Sequence, residues 1–479
     1  MAADPSLSAI FKAYDVRGLV PEELDEARAW AVGHGFAEFA SRHGADRVLV
    51  ARDCRTSGEA LARAFAAGAL AAGRGVVDLG LASTDLLYFA SGYLDAPGAM
   101  LTASHNPPAY NGIKLCLAGA RPIGRETGLE EVQALSERVL SSVLPVPGVP
   151  PGDVAGRLER RDLLPEFAAH VRSFVDPGAM RPLRVVADAA NGMGGLVAPK
   201  VFEGLAVELE LLYGELDGTF PHHPADPLQA ENLSDLVARV RATRADVGLA
   251  FDGDADRVFL VDDEGVPLSG STTTAIVAVA MLDKHPGATI LHNLICSKAV
   301  PELVREHGGV PVRTRVGHSY IKAVMAETDA VFGGEHSGHY YFRDNYRADS
   351  GIIAALVVLE VLSRAATPLS QLRRRYERYA GSGELNTAVA DTALVIAEVA
   401  EHYDRLGASL DFLDGLTVDL GSWWFNLRPS NTEPLLRLNV EAPDATSCAA
   451  RVAEVLELVR RADEGARRRA AADARRGAP

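Results

Sequence analysis

The sequence predicts an α/β protein: three related α/β units, then a C-terminal α+β unit of different character. Three observations carry this. Short apolar runs, β-branched in part, alternate with helical segments; the alternation occurs three times in the same order; and each round ends in a Gly-containing polar loop. Such alternation argues parallel strands with helical crossovers, and sheets of that kind place ligands outside the carboxyl ends of their strands.

In the first round RVLVARD (47–53) reads as a buried strand leading into an Ala-rich helical stretch and VVDLG (76–80) as a second strand. TDLLYFASGYL follows as a helix, and GAMLTASHNP as a strand that empties into a polar loop. The second round has RVVAD (184–188), a helix, VELELLY (207–213), a helix near 231–244 and DVGLAFDGDADR. The third has ATILHN (288–293), the helix AVPELVREHGG, PVRTRVG (311–317), the helix SYIKAVMAET and DAVFGGEHSGH. LPVPGVPPGD (144–153) is a Pro/Gly-rich linker, and the turn around Asp262–Pro267 marks another break. After the helical, Arg-rich QLRRRYERY (371–379) and the connector GSGELN comes the last unit. It carries the helix TALVIAEVAEHYDRLG, the candidate strands LTVDLG, WWFNLRPS and LLRLNVEA, and the helix ATSCAARVAEVLELVRRA. The units therefore span 1–150, 151–264, 265–378 and 379–463, and the basic stretch 464–479 reads as a frayed helix end or tail.

Composition narrows the function classes. Lys plus Arg number 48 against 64 Asp plus Glu, a net charge of −16 over 479 residues. That balance argues against a surface built for nucleic acid or anionic lipid, though not against a small anion held in a locally basic pocket. Cys54, Cys116, Cys296 and Cys448 form no C-x-x-C pair and no metal spacing, which suits a reduced, cytoplasmic setting. The N-terminal MAADPSLSAIFKAYD has acids where a signal peptide carries positive charge. The longest apolar run, GIIAALVVLEVL, is broken at Glu360, short of the ~18 residues of a membrane span.

Four loops carry the chemistry. The first, Thr102-Ala103-Ser104-His105-Asn106-Pro107-Pro108, then Tyr110-Asn111-Gly112-Ile113-Lys114, sets a serine beside a histidine in a Pro-braced loop. It suits a nucleophile or phosphate carrier, and equally a plain turn; no G-x-S-x-G elbow surrounds the serine. The second, Asp252-Gly253-Asp254-Ala255-Asp256-Arg257, follows a buried strand. Three carboxylates at alternate positions repel one another unless a cation neutralises them, and a hard divalent ion such as Mg²⁺ is the natural partner. The spacing opens like an EF-hand, but Arg257 stands where that motif needs Gly and Asp263 where it needs Glu. The third, Gly333-Gly334-Glu335-His336-Ser337-Gly338-His339, offers groups that donate to or accept from sugar hydroxyls, with a surface turn as the alternative. The fourth, Arg428-Pro429-Ser430-Asn431-Thr432-Glu433-Pro434, holds the parts of a phosphate cradle or of a hairpin turn. No Walker A sequence is present, and Asn191-Gly192-Met193-Gly194-Gly195 is too irregular for a dinucleotide fingerprint.

Taken together with Phe11-Lys12-Ala13-Tyr14-Asp15-Val16-Arg17-Gly18, these loops resemble the α-D-phosphohexomutase family, in the family's order and over nearly the whole chain. The N-terminal segment, GEHSGH and WWFNLRPSNTEP look most like bacterial phosphomannomutases and phosphomannomutase/phosphoglucomutases. His336 stands where phosphoglucosamine mutases usually carry Gln. The resemblance implies three α/β domains with mixed sheets and a fourth, more mobile domain around a central cleft. It implies a phosphoserine at Ser104, with Mg²⁺ held by Ser104, Asp252, Asp254 and Asp256. It further implies transfer to a sugar monophosphate, a hexose 1,6-bisphosphate that turns around in the cleft, and that bisphosphate as activator. Lys114 matches the family's general base, provided the metal and other nearby cations lower its pKa; electrostatic support of the phosphate is the alternative. His105 would orient the phosphoserine, and His318 would assist proton transfer or bind sugar. Glu335, Ser337 and His339 would hold ring hydroxyls, and Arg428, Ser430, Asn431 and Thr432 the non-reacting phosphate. Tyr14, Arg17, Arg257 and Lys298 would line the same cleft. The expected partners are sugar phosphates, with no nucleic acid and no membrane, and a monomer is expected because four domains already enclose a site. The competing readings are phosphoglucosamine mutase, a Mg²⁺-dependent phosphatase using the same serine, and a sugar-phosphate-binding module without turnover.

Overall fold

The computed structural model describes residues 6–142, 157–430 and 435–476, so the linker at 144–153 lies outside the described residues. Each repeat folds around the same four strands. In the first, Gly75–Leu81, Arg47–Arg52, Gly98–Leu101 and Tyr110–Leu117 lie side by side. The second has Val207–Leu212, Leu183–Asp188, Val247–Phe251 and Val258–Asp262, and the third Val310–Thr314, Thr289–Asn293, Phe332–Gly334 and Tyr340–Phe342. Numbered along the chain within a repeat, the spatial order is 2-1-3-4, with three parallel strands and an antiparallel fourth.

The parallel strands argued from the alternation are three of each four; the segment after each polar loop returns as an antiparallel strand, so the sheets are mixed, as the resemblance implies. The consequence for function is direct. The loops bearing Ser104, the three aspartates and Glu335 occupy one equivalent place, the connection from the third strand to its antiparallel partner. Val16–Leu19 extends the first sheet at one edge. Leu158–Arg160 pairs with Gly75–Leu81 at the other edge, so this strand joins the first sheet although it lies past residue 150.

One apolar core runs through all three repeats, from Leu49 and Met100 through Val185 and Leu249 to Ile353 and Leu356. At its centre is the helix Gly351–Ala365, which contains GIIAALVVLEVL and is buried all round, as a helix apolar on every face must be. Glu360 is tolerated there because Lys284 and Arg364 pair with it at 2.8 and 2.7 Å. Among the described residues no single helix is long and apolar enough to cross a membrane. The helices Glu26–Arg42 and Gly58–Ala71 pack backbone to backbone at Gly33 and Gly68. A Cβ on Gly68 would lie 2.0 Å from the Trp30 carbonyl oxygen. Gly68→Ala is therefore expected to cost about 3 kcal/mol, read as a lower denaturation midpoint in urea; an unchanged midpoint would show that the pair is free to separate.

The C-terminal domain has its own core, built from Val395, Val399, Tyr403, Phe425, Leu427, Leu438 and Val459 among others. Its five strands are all antiparallel. Three expectations are corrected here. The connector GSGELN is part of the edge strand Ala380–Ala388, paired with Leu435–Ala442 across a register shift between Gly381 and Glu384. Pairing overrides its Gly- and Ser-rich composition. QLRRRYERY is mostly not helical: a single turn, Leu369–Leu372, passes into the 3₁₀ turn Arg373–Arg375. There Arg373 is drawn to Asp262 at 2.7 Å and also bonds Glu377. Finally, the last helix runs unbroken over Ala445–Arg476, with pairs such as Arg467–Asp463 and Arg468–Glu464 at i,i+4 spacing supporting it past residue 464.

Candidate active site

The third-to-fourth-strand loops of the first three domains open on one cavity of about 550 Å³. Ser104, His105, Lys114, Arg17, Tyr14, Asp256, Arg257, Glu335, Ser337 and His339 all line it. Ser104 is 2% exposed and adopts φ +49°, a left-handed conformation that few L residues hold without outside support. Its amide donates to Thr102 Oγ1 at 2.9 Å and its hydroxyl to Asp252 Oδ2 at 2.7 Å. The loops of domains one and two therefore meet at this hydroxyl.

His105 is held neutral. Its Nδ1 lies 3.2 Å from Arg257 Nη2 and 3.3 Å from Ser104 Oγ, and the adjacent Arg257 charge, then burial, push its pKa down to about 2. Its Nδ1, facing the Arg257 guanidinium, is placed to accept a hydrogen bond from it.

Asp252, Asp254 and Asp256 are fully buried and each turns an oxygen to within 4.8 Å of the others. Burial, then the charges of Asp256 and Asp254, push the Asp252 carboxyl well above the usual range. Burial also opposes ionisation of Asp254, but Lys114, Thr84 and Arg257 outweigh it and hold that carboxyl low. Asp254 Oδ1 and Asp256 Oδ1 are buried without a hydrogen-bond partner. Buried carboxylate oxygens left in this state are what a hard divalent cation would satisfy, so the residues fit Mg²⁺.

Lys114 comes from the antiparallel strand after the Ser104 loop. Its ammonium donates to Asp254 Oδ2 at 2.7 Å and Asp256 Oδ2 at 2.6 Å. Burial works to lower its pKa, yet the two carboxylates prevail and raise it well above the ordinary value. In the metal-free site the aspartates in direct contact thus outweigh the neighbouring cations at Lys114.

On the sugar-loop side, Glu335 is 2% exposed and accepts from Tyr341 Oη at 2.6 Å, Asn293 Nδ2 at 3.1 Å and the Gly317 amide at 3.3 Å. His339 Nδ1 lies 2.8 Å from Asp349 Oδ2, an arrangement that leaves Nε2 as the ring's remaining acceptor. Lys322, only 2% exposed, pairs with Asp349 at 3.0 Å and sits 3.8 Å from the Tyr88 ring centroid. Gly317 has φ +127°, and Tyr14 Oη occupies the space 2.9 Å from where a Cβ would stand. Burial, then Tyr320, push the Tyr14 hydroxyl up to about 12.

Other expected residues stand elsewhere. Lys298 bonds Asp419 at 2.8 Å and the Gly421 carbonyl at 2.9 Å, joining the third domain to the fourth. Arg428 is 8% exposed and donates to Glu384 Oε2 at 2.7 Å on its own sheet. Neither lines the Ser104 cavity, and Ser430 also lies outside it. Asn431 and Thr432, and the side chain of His318 at the start of the helix His318–Thr328, lie outside the described residues. Asp349 and Tyr88 stand in no motif and reach the cavity only through the fold, with Lys322 paired to Asp349 behind them; Lys12 and Asn106, members of the quoted motifs, line the cavity as well.

Models of the phosphoglucomutase/phosphomannomutase α/β/α domains I, II and III match residues 8–141, 165–265 and 269–379, and that of the C-terminal domain matches 384–458. A phosphomannomutase of Vibrio cholerae is 39% identical over 465 residues, covering 95% of this chain and 98% of that protein. The phosphomannomutase/phosphoglucomutase of Pseudomonas aeruginosa is 37% identical over 446 residues, 92% of this chain and 93% of that protein. A solved phosphoglucomutase/phosphomannomutase family protein from Burkholderia thailandensis superposes with a TM-score of 0.84 at 33% identity, covering 96% of this chain and 98% of that one. Four domain models in order and relatives more than a third identical over nine-tenths of the length place the chain in the phosphoglucomutase/phosphomannomutase family, as a phosphohexomutase and an isomerase.

Proposed function

We propose that this enzyme interconverts mannose 1-phosphate and mannose 6-phosphate, acting also on the glucose phosphates, through a phosphoserine at Ser104 and a hexose 1,6-bisphosphate. The observation that carries the reading is the Ser104 hydroxyl, turned into the cavity by its left-handed backbone and 2.7 Å from the first of three clustered buried aspartates. In the working enzyme the O–P bond of phospho-Ser104 breaks as a sugar hydroxyl oxygen bonds the phosphorus, and the proton leaves that hydroxyl. Return transfer from the other phosphate of the bisphosphate regenerates phospho-Ser104 and frees the isomerised monophosphate. Asp252, Asp254, Asp256 and phospho-Ser104 would hold Mg²⁺, which would supply charge neutralisation at the transferring group.

The protein's own groups do the rest. Lys114 and Arg257 set positive charge beside the aspartates and the serine. His339, its Nδ1 engaged with Asp349, takes up the hydroxyl proton at Nε2. Glu335 and Ser337 hold ring hydroxyls in either orientation of the intermediate.

The relatives named phosphomannomutase support mannose phosphates as the substrate class. With Mg²⁺ and a bisphosphate activator, mannose 1-phosphate is expected to turn over fastest. Glucose 1-phosphate should follow within about tenfold, because the two sugars differ at one hydroxyl, and glucosamine 1-phosphate should be poor. Preference for the glucosamine compound, or release of inorganic phosphate without isomerised product, would overturn the reading.

Arg428 would reach the non-reacting phosphate only when the fourth domain closes. Arg428→Ala is expected to raise KM by roughly 10- to 100-fold, the worth of a charge-assisted hydrogen bond, and to increase escape of bisphosphate into solution. Unchanged kinetics would remove Arg428 from the cradle.

A further inference from the structure

Behind the Ser104 loop, on the side away from the cavity, lies a guanidinium that the reaction as described does not use. Arg55 follows the strand Arg47–Arg52, and its side chain has no solvent exposure. Nη2 donates to the carbonyl oxygens of Ser104 and Asn106, each at 2.7 Å, and Nη1 to those of Pro107 and Tyr110 at 2.8 and 2.9 Å. Nε lies 3.2 Å from Asp53 Oδ2, and the guanidinium carbon lies 5.2 Å from the Phe220 ring centroid of the second domain.

We propose that Arg55 is the positioning residue that holds Ser104 in its reactive conformation, because the bonds the loop makes within itself, from the Ser104, Asn106 and Tyr110 amides, are few. Pro107 and Pro108 have no N–H, so two of the donors that would tie a loop of this length are missing. Ser104 also holds a backbone conformation unfavourable for an L residue. Four carbonyls turned to one planar, permanently charged group replace the missing bonds. Each successive transfer must find the serine oxygen in the same place, since the phosphoryl group leaves it and returns to it. Arg55 touches neither substrate nor metal in this role; it acts through the loop. This inference rests on the phosphoserine reading above.

Arg55→Lys keeps the charge but has one nitrogen to serve four carbonyls, so kcat is expected to fall about 100-fold, the usual effect of displacing a reacting group by about 1 Å. KM should stay within about threefold, because no cavity group is removed. Arg55→Ala should be slower still, and millimolar guanidinium should restore it by about tenfold while leaving the wild-type enzyme unchanged. Alongside, intact mass spectrometry after incubation with glucose 1,6-bisphosphate reads phosphorylation of Ser104 directly, and circular dichroism checks that each variant is folded. If the wild-type chain takes up no phosphate, the phosphoserine reading fails. If the wild type is phosphorylated and a folded Arg55→Lys variant is phosphorylated and turns over at the same rate, the positioning role is overturned. It is overturned equally if the loss in Arg55→Ala tracks its unfolded fraction and guanidinium restores nothing.

Discussion

Ser104→Ala is expected to lower kcat by at least about 10⁴-fold, because the covalent route disappears and neither of the threonine hydroxyls bonded to the aspartates lines the cavity. The wild-type Ser104 oxygen lies 2.7 Å from Asp252, and Thr102 and Thr84, the nearest other hydroxyls, are turned to Asp254 at 3.3 and 2.6 Å. The substitution also tests backbone strain against chemistry. At φ +49° Ala is as strained as Ser, whereas Gly is not. Ser104→Gly should therefore be about 1 kcal/mol more stable to urea than Ser104→Ala while being equally inactive. A Gly variant that retained turnover would show that the loop's shape, and not its hydroxyl, sustains the reaction.

The second large effect concerns the aspartates. Asp252→Asn is expected to lower kcat by about 10³-fold, comparable to losing a major electrostatic contributor at a transferring phosphoryl group. Metal binding supplies a separate readout. Mg²⁺ bound only by the folded chain should raise the wild-type melting temperature, by an amount that grows with its concentration. Asp252→Asn should lose most of that shift, because two carboxylates then face Lys114 and Arg257 with little negative charge to spare. A full Mg²⁺ shift in the variant would assign the ion to other residues. Removing metal with a chelator should abolish turnover, and Mg²⁺ should restore it.

Much of this site was legible because its residues sit together in sequence. TASHNPP, DGDADR and GEHSGH are each one loop, and the fold stacks three such loops by repeating one sheet topology. The fourth strand of each sheet was harder to read, since YNGIKLCL opens on polar residues and YYF is only three residues long. Lys322 and Asp349 were invisible for a different reason: they stand 27 residues apart in sequence and meet only through packing, at 3.0 Å. Arg55 was passed over because nothing near it in sequence suggested that it serves a loop 49 residues on. Lys114 lines the cavity, and its charge state depends on which carboxylates touch it, which spacing along the chain does not reveal. The C-terminal groups show the largest gap between motif and geometry. Lys298 and Arg428 are both engaged with acids, Asp419 and Glu384, and not with the cavity. The fourth domain has a core of its own, so its approach to the other three is governed by such polar contacts, including Arg313–Asp411 at 2.5 Å.

The central claim is that one phosphoryl group passes through Ser104 on every turnover. Incubating the enzyme with Mg²⁺ and isotopically phosphorus-labelled glucose 1,6-bisphosphate, then mapping the label by peptide mass spectrometry, tests it most directly. Label is expected on the peptide containing Ser104, with complete transfer to sugar when unlabelled mannose 1-phosphate is added. Label found on another residue, or released from Ser104 as inorganic phosphate at the rate of turnover, would contradict it.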